Sequence, residues 1–129
     1  MEKTVISPEA LGRPNRGYSH AVRVGNLLFI SGQIPMDREG RITVRDFRAQ
    51  AVQVFENIKE VLIQAGGGLD NLVKITSFMI NMDLNYNVYK EVRSQYLKGD
   101  KPPASTLVEV SSLVPKEAFL EIEAIAVLN

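Results

Sequence analysis

Two periodicities divide the chain between them. Phe47, Ala51, Val54, Phe55, Ile58, Val61, Leu62 and Ala65 recur three and four residues apart, which predicts an amphipathic helix over 46–65 of about five turns. Gly66 supplies its C-cap, and Arg48, Gln53, Glu56, Lys59, Glu60 and Gln64 fall on its solvated face. Elsewhere the period is two. Residues 18–24 and 27–34 flank Gly25-Asn26, a two-residue turn that signals a hairpin, and 72–82 reads as a long strand with apolar residues on both faces. Within it, Val73, Ile75 and Met79 are expected to share one face and Phe78 and Ile80 the other.

A second helix follows, capped by Asp83 or Asn85, carrying Tyr86, Tyr89, Val92 and Tyr96 inward and ending near Gly99. Pro102-Pro103 then forces extended backbone before strands at 105–110 and 119–127. At the other end, Val5-Ile6 is a short strand, and Pro8, Gly12, Pro14, Asn15 and Gly17 mark an irregular loop. The order is hairpin, helix, strand, helix, two strands. It predicts one α+β domain over 1–129, a sandwich with two helices on one face of a mixed sheet.

The last strand draws attention to its own chemistry. Leu120, Ile122, Ala124 and Ala126 point one way; Phe119, Glu121, Glu123, Ile125 and Val127 point the other, so two carboxylates sit in an otherwise apolar strand. A half-solvated antiparallel sheet showing polar residues is one explanation. A pocket in which Glu121 serves as acid or base is the other. With both helices spent on one face, the remaining face keeps Phe29 or Leu28, Met79 and Ile125, and a second copy of the chain is the expected cover.

Composition narrows the function. Fifteen basic residues balance fifteen acidic ones, so there is no electrostatic footprint for nucleic acid as the main partner. With no cysteine and one histidine, neither a thiol nucleophile, a disulfide nor the usual zinc sphere can be built, and no metal or other cofactor is expected. No apolar run approaches a membrane span and the N-terminus lacks a signal-type apolar core, which predicts a cytoplasmic protein.

Three short stretches carry candidate chemistry. Gly66-Gly67-Gly68 follows a helix instead of opening one, which removes the phosphate-loop reading. Tyr18-Ser19-His20 lacks any nucleophile elbow, so the histidine reads as a satisfied or surface group. Ser31-Gly32-Gln33 ends the second hairpin strand, where glycine permits either a β-bulge or close approach of backbone to a ligand.

These pieces together resemble the RidA (YjgF) family, described as enamine and imine deaminases. The resemblance runs over nearly the whole chain: Gly17-Tyr18-Ser19, Val24-Gly25-Asn26, Ser31-Gly32-Gln33-Ile34-Pro35, Gln50, Asn57-Ile58, Ala65-Gly66, Leu69-Asp70, Pro102-Pro103-Ala104, Val108-Glu109-Val110 and residues 121–126. It implies a chorismate-mutase-like fold and a homotrimer, with the sheets facing a central barrel and small-molecule clefts between neighbouring subunits. Carried over position by position, Tyr18 borders the cleft, the backbone at Ser31 and Gly32 contacts the ligand, the Leu107 carbonyl helps hold a water, and Glu121 orients that water for attack on an imine carbon.

One match fails. Family deaminases read Pro-Ala-Arg where this chain reads Pro103-Ala104-Ser105, and the resemblance assigns that arginine to the carboxylate of a 2-imino acid. Lesser departures are His20, Arg16, Lys90 and Arg93, the last two where the family commonly has asparagine and tyrosine. The leading expectation is a trimer that keeps the cleft and Glu121, binds or hydrolyses another small metabolite, and handles 2-imino acids inefficiently. The alternatives are an imine deaminase whose cation comes from Lys90 or Arg93, and a non-enzymatic regulatory or chaperone-like trimer. Ribonuclease activity is disfavoured by the neutral charge.

Overall fold

A computed structural model describes residues 1–11 and 17–129. The expectations for Gly12, Pro14, Asn15 and Arg16 lie outside the described residues. Among the described residues six strands form one sheet: β1 (Lys3–Ile6), β2 (Ala21–Val24), β3 (Leu27–Gln33), β4 (Leu72–Met79), β5 (Ala104–Glu109) and β6 (Leu120–Val127). Their spatial order is β1-β2-β3-β6-β4-β5, with β5 parallel to β4 and every other pair antiparallel. The β2–β3 hairpin turns at Gly25, whose φ of 61° is the left-handed value such tight turns require.

Helix α1 (Phe47–Gln64) opens at Asp46, whose side chain accepts from the Ala49 amide, and buries the predicted apolar stripe against β3 and β6. Helix α2 (Met82–Tyr96) covers β4 and β5: the Tyr89 hydroxyl meets Ser77 Oγ at 2.7 Å, and the Glu109 carboxylate accepts from the Met82 amide at 2.8 Å. Both helices lie on one face. The core between them and the sheet holds Leu28, Ile30, Val54, Phe55, Ile58, Ile75, Met79, Leu120, Ile122 and Ala124.

Five local expectations need correction. The long strand stops at Met79, three residues early, because Asn81 takes a left-handed turn (φ 49°) and becomes the N-cap of α2. Neither Asp83 nor Asn85 caps: Asn85 is buried and donates to the Ile80 carbonyl, while Glu109 serves the helix end from another strand. Val73 is exposed, since the β4–β6 register slips between Leu72 and Lys74 and shifts it off the face of Ile75 and Met79. Tyr86 is exposed too, on the flank of α2, and Leu28 and Met79 belong to the helix-covered face.

Candidate functional site

Glu121 sits one residue into β6, opposite Phe78, on the face that no helix covers. Its carboxyl is half-buried. Burial, and then the charge of Glu123 two residues along the same face, raise it above the ordinary carboxylate value. The neighbouring strand explains the burial. Between Ile30 and Gln33 the β3–β6 register slips, and Gly32 lies directly against the Glu121 side chain: a Cβ at Gly32 would fall 2.8 Å from Cδ and overlap Oε2. The bulge and the close approach are one feature, with the carboxyl group filling the space that a side chain at 32 would occupy.

The other near-side candidates gather at the same strand end. The Ser31 amide donates to the His20 carbonyl at 2.9 Å and its hydroxyl to the Ser19 carbonyl, which ties β3 to the segment carrying Tyr18. Tyr18 is half-exposed and, with Leu11, His20, Gly32 and Asn57, lines a crevice of about 10 Å³, room for one water. His20 is buried, within 3.4 Å of the Gln33 amide nitrogen.

Two α1 residues fix these strand ends, although residue order alone marks them only as carriers of the resemblance. Gln50, fully buried, donates to the Val44 and Glu117 carbonyls and accepts from the Phe119 amide, pinning the start of β6 two residues before Glu121. Asn57 donates to the Ile34 and Met36 carbonyls at 3.0 Å, pinning the chain just beyond Gly32. The signal available was a pair of amides on the buried stripe of an amphipathic helix, which must find partners inside.

Ser105 and Leu107 are elsewhere. They lie on β5, the edge strand, paired with Ile75 and Ser77 and therefore on the helix side of the sheet, while Glu121 is on the open side with β4 between. Within one chain, position 105 is not beside Glu121. On the flank of α2 away from α1, Lys90 Nζ lies 4.9 Å from the Tyr86 ring centroid and the Arg93 guanidinium 5.2 Å from that of Tyr89.

The open face is largely apolar. Phe29 pairs with Ile125 and Leu27 with Val127, and all four lie there with Phe78 and Val108. Lys74, Thr76 and Glu123 interrupt them and, with Phe29 and Ile125, line a concavity of about 270 Å³. Among the described residues no group of three or more His, Cys, Asp or Glu could hold a metal ion, and no helix is long and apolar enough to cross a membrane.

Comparison with known proteins identifies the family and its fold. Residues 9–128 match the family model described as endoribonuclease L-PSP. A RutC family protein of Pyrococcus abyssi is 44% identical over 128 residues, covering 98% of each chain. A 2-iminobutanoate/2-iminopropanoate deaminase of Dermatophagoides farinae is 35% identical over the same shares. Among solved structures, Escherichia coli TdcF with bound serine superimposes with a TM-score of 0.88 at 31% identity, over 98% of this chain and 99% of that one.

Proposed function

This chain belongs to the endoribonuclease L-PSP family, which includes the RutC and RidA proteins, and on that footing we propose that it is a homotrimer whose inter-subunit clefts hydrolyse a small imine or enamine metabolite. The observation that carries this reading is Glu121, a half-buried carboxyl seated on Gly32 and biased toward holding a proton. The direction of that bias, upward from the ordinary carboxylate range, favours a carboxyl in proton transfer. The Glu121 carboxylate takes a proton from a water whose oxygen attacks the C=N carbon. The proton then passes to nitrogen, the hydroxyl proton of the tetrahedral adduct follows it through the same carboxylate as the C–N bond breaks, and a carbonyl compound and ammonia leave.

Two features support the assembly. The open face exposes Phe29, Leu27 and Val127 around a partly buried Ile125, an apolar surface that a lone chain leaves in water. The candidate residues fall on opposite sides of the sheet, Glu121 with Gly32 against it on the open side and Ser105 and Leu107 on the helix side, so a site using all of them takes one half from each neighbour. A cytoplasmic setting suits a chain without cysteine. Ser105 brings a single hydroxyl to the cleft, so β5 itself offers no clamp for a carboxylate.

The test is a coupled assay in which 2-iminobutanoate and a neutral imine are generated in situ. Carbonyl release faster than in buffer, abolished by Glu121→Ala, is the expected result. Release equal to that in buffer for both substrates would leave a binding protein without hydrolytic activity and overturn the proposal.

A further inference from the structure

The geometry points to Arg93, assisted by Lys90, as the cation that receives the carboxylate of an anionic substrate, replacing from α2 the charge that Ser105 does not supply. The inference rests on the inter-subunit cleft proposed above and names its substrate class.

The position of Arg93 follows from two fixed points. Glu109 caps the Met82 amide and Tyr89 bonds Ser77, the β4 partner of Leu107, so α2 runs antiparallel to β5 with its start level with Glu109. Arg93 lies one turn beyond Tyr89, about 6 Å along the helix. Going back along β5 by that distance moves two residues, which puts the Arg93 backbone level with Ser105 while its guanidinium leans back over the Tyr89 ring toward the level of Leu107. The lateral placement is set in the same way. The Arg48–Glu91 ion pair and the Phe55–Tyr96 stack hold α1 against one flank of α2. Tyr86, Lys90 and Arg93 occupy the opposite flank, which overhangs the free edge of the sheet where β5 ends the strand order.

The charge there is available. Among the described residues neither Lys90 nor Arg93 forms an ion pair, and the nearby carboxylate of Glu91 is engaged by Arg48 on the far flank. Each cation rests on a tyrosine ring, Arg93 on one whose hydroxyl is anchored in the core, which orders the guanidinium without neutralising it. An ordered, unpaired guanidinium on a cleft edge is suited to two parallel hydrogen bonds with a carboxylate. The named ligands of two relatives, 2-iminobutanoate or 2-iminopropanoate and serine, all carry that group.

The experiment measures binding separately from hydrolysis. 2-Oxobutanoate, the carboxylate-bearing product, and uncharged 2-butanone are titrated into the wild type, Arg93→Met, Lys90→Met and Glu121→Gln by NMR. Arg93→Met weakens 2-oxobutanoate about ten- to a hundredfold and leaves 2-butanone unchanged; Lys90→Met has a smaller effect. Adding Ser105→Arg to Arg93→Met restores the affinity, which a merely structural role for Arg93 does not allow. Unaltered 2-oxobutanoate affinity in Arg93→Met, or no binding by the wild type, overturns the inference. Arg93-dependent binding with no hydrolysis by the wild type leaves this inference standing and removes the proposed reaction.

Discussion

The Glu121 carboxyl group occupies the volume that a side chain on Gly32 would fill, so the two residues define each other's conformation across the β3–β6 pair. Gly32→Ala meets only the far end of a flexible side chain, and the glycine backbone there is not left-handed, so the substitution displaces Glu121 without unfolding the strand. Misplacing a catalytic group by about 1 Å costs on the order of a hundredfold in rate. The expected outcome is imine hydrolysis lowered by about that factor, with a melting temperature close to wild type. Unchanged activity would separate Glu121 from the chemistry.

Stability carries its own record of Glu121. Its carboxyl is held above the ordinary 4.5 by burial and then by Glu123. Between that value and the raised one the folded chain binds more protons than the unfolded chain, so stability falls as pH rises through the window. Glu121→Gln removes this dependence. Its melting temperature should exceed that of wild type at neutral pH, and the two should converge below about pH 4, checked by thermal melts across the range.

Gln50 joins α1 to two loops through three hydrogen bonds in a fully buried position. Gln50→Ala leaves two carbonyls and one amide without that partner, and should cost about 3 kcal/mol in urea unfolding. Gln53→Ala, on the same helix but bonded only to Asn57, should cost about 1 kcal/mol.

Phe29 and Ile125 face each other on the uncovered side of the sheet. A charge there is tolerated by an isolated chain but buried in an assembly, so Phe29→Asp should shift sedimentation from trimer to monomer while keeping the far-ultraviolet spectrum. A wild type that sediments as a monomer would contradict the assembly itself.

Much of this was legible from residue order. The stripe from Phe47 to Ala65, the Gly25 turn and the alternation in β6 report burial directly, because each period fixes which side chains share a face. The start of α2 was not: its amide is capped by Glu109 from a strand 27 residues later, and no local pattern announces a cap supplied by tertiary structure. The slip beside Val73 was hidden for a similar reason, as a bulge leaves the alternation of its own strand almost intact. At the site, the alternation of β6 singles out Glu121 and the glycine of β3 singles out Gly32, but their contact depends on register. Ser105 drew notice as a missing arginine; the cations over its edge come from another element, on a helix flank whose orientation needs α1 to define it.

Each proposed site takes Glu121 from one subunit and the β5–α2 edge from its neighbour. Glu121→Ala and Arg93→Met trimers should each be nearly inactive on 2-iminobutanoate. Refolding them together in equal amounts should return activity to about a quarter of wild type, since that fraction of clefts then draws both intact halves from different chains. Recovery to that level is the predicted result; mixed trimers that form yet stay as inactive as their parents would contradict the account.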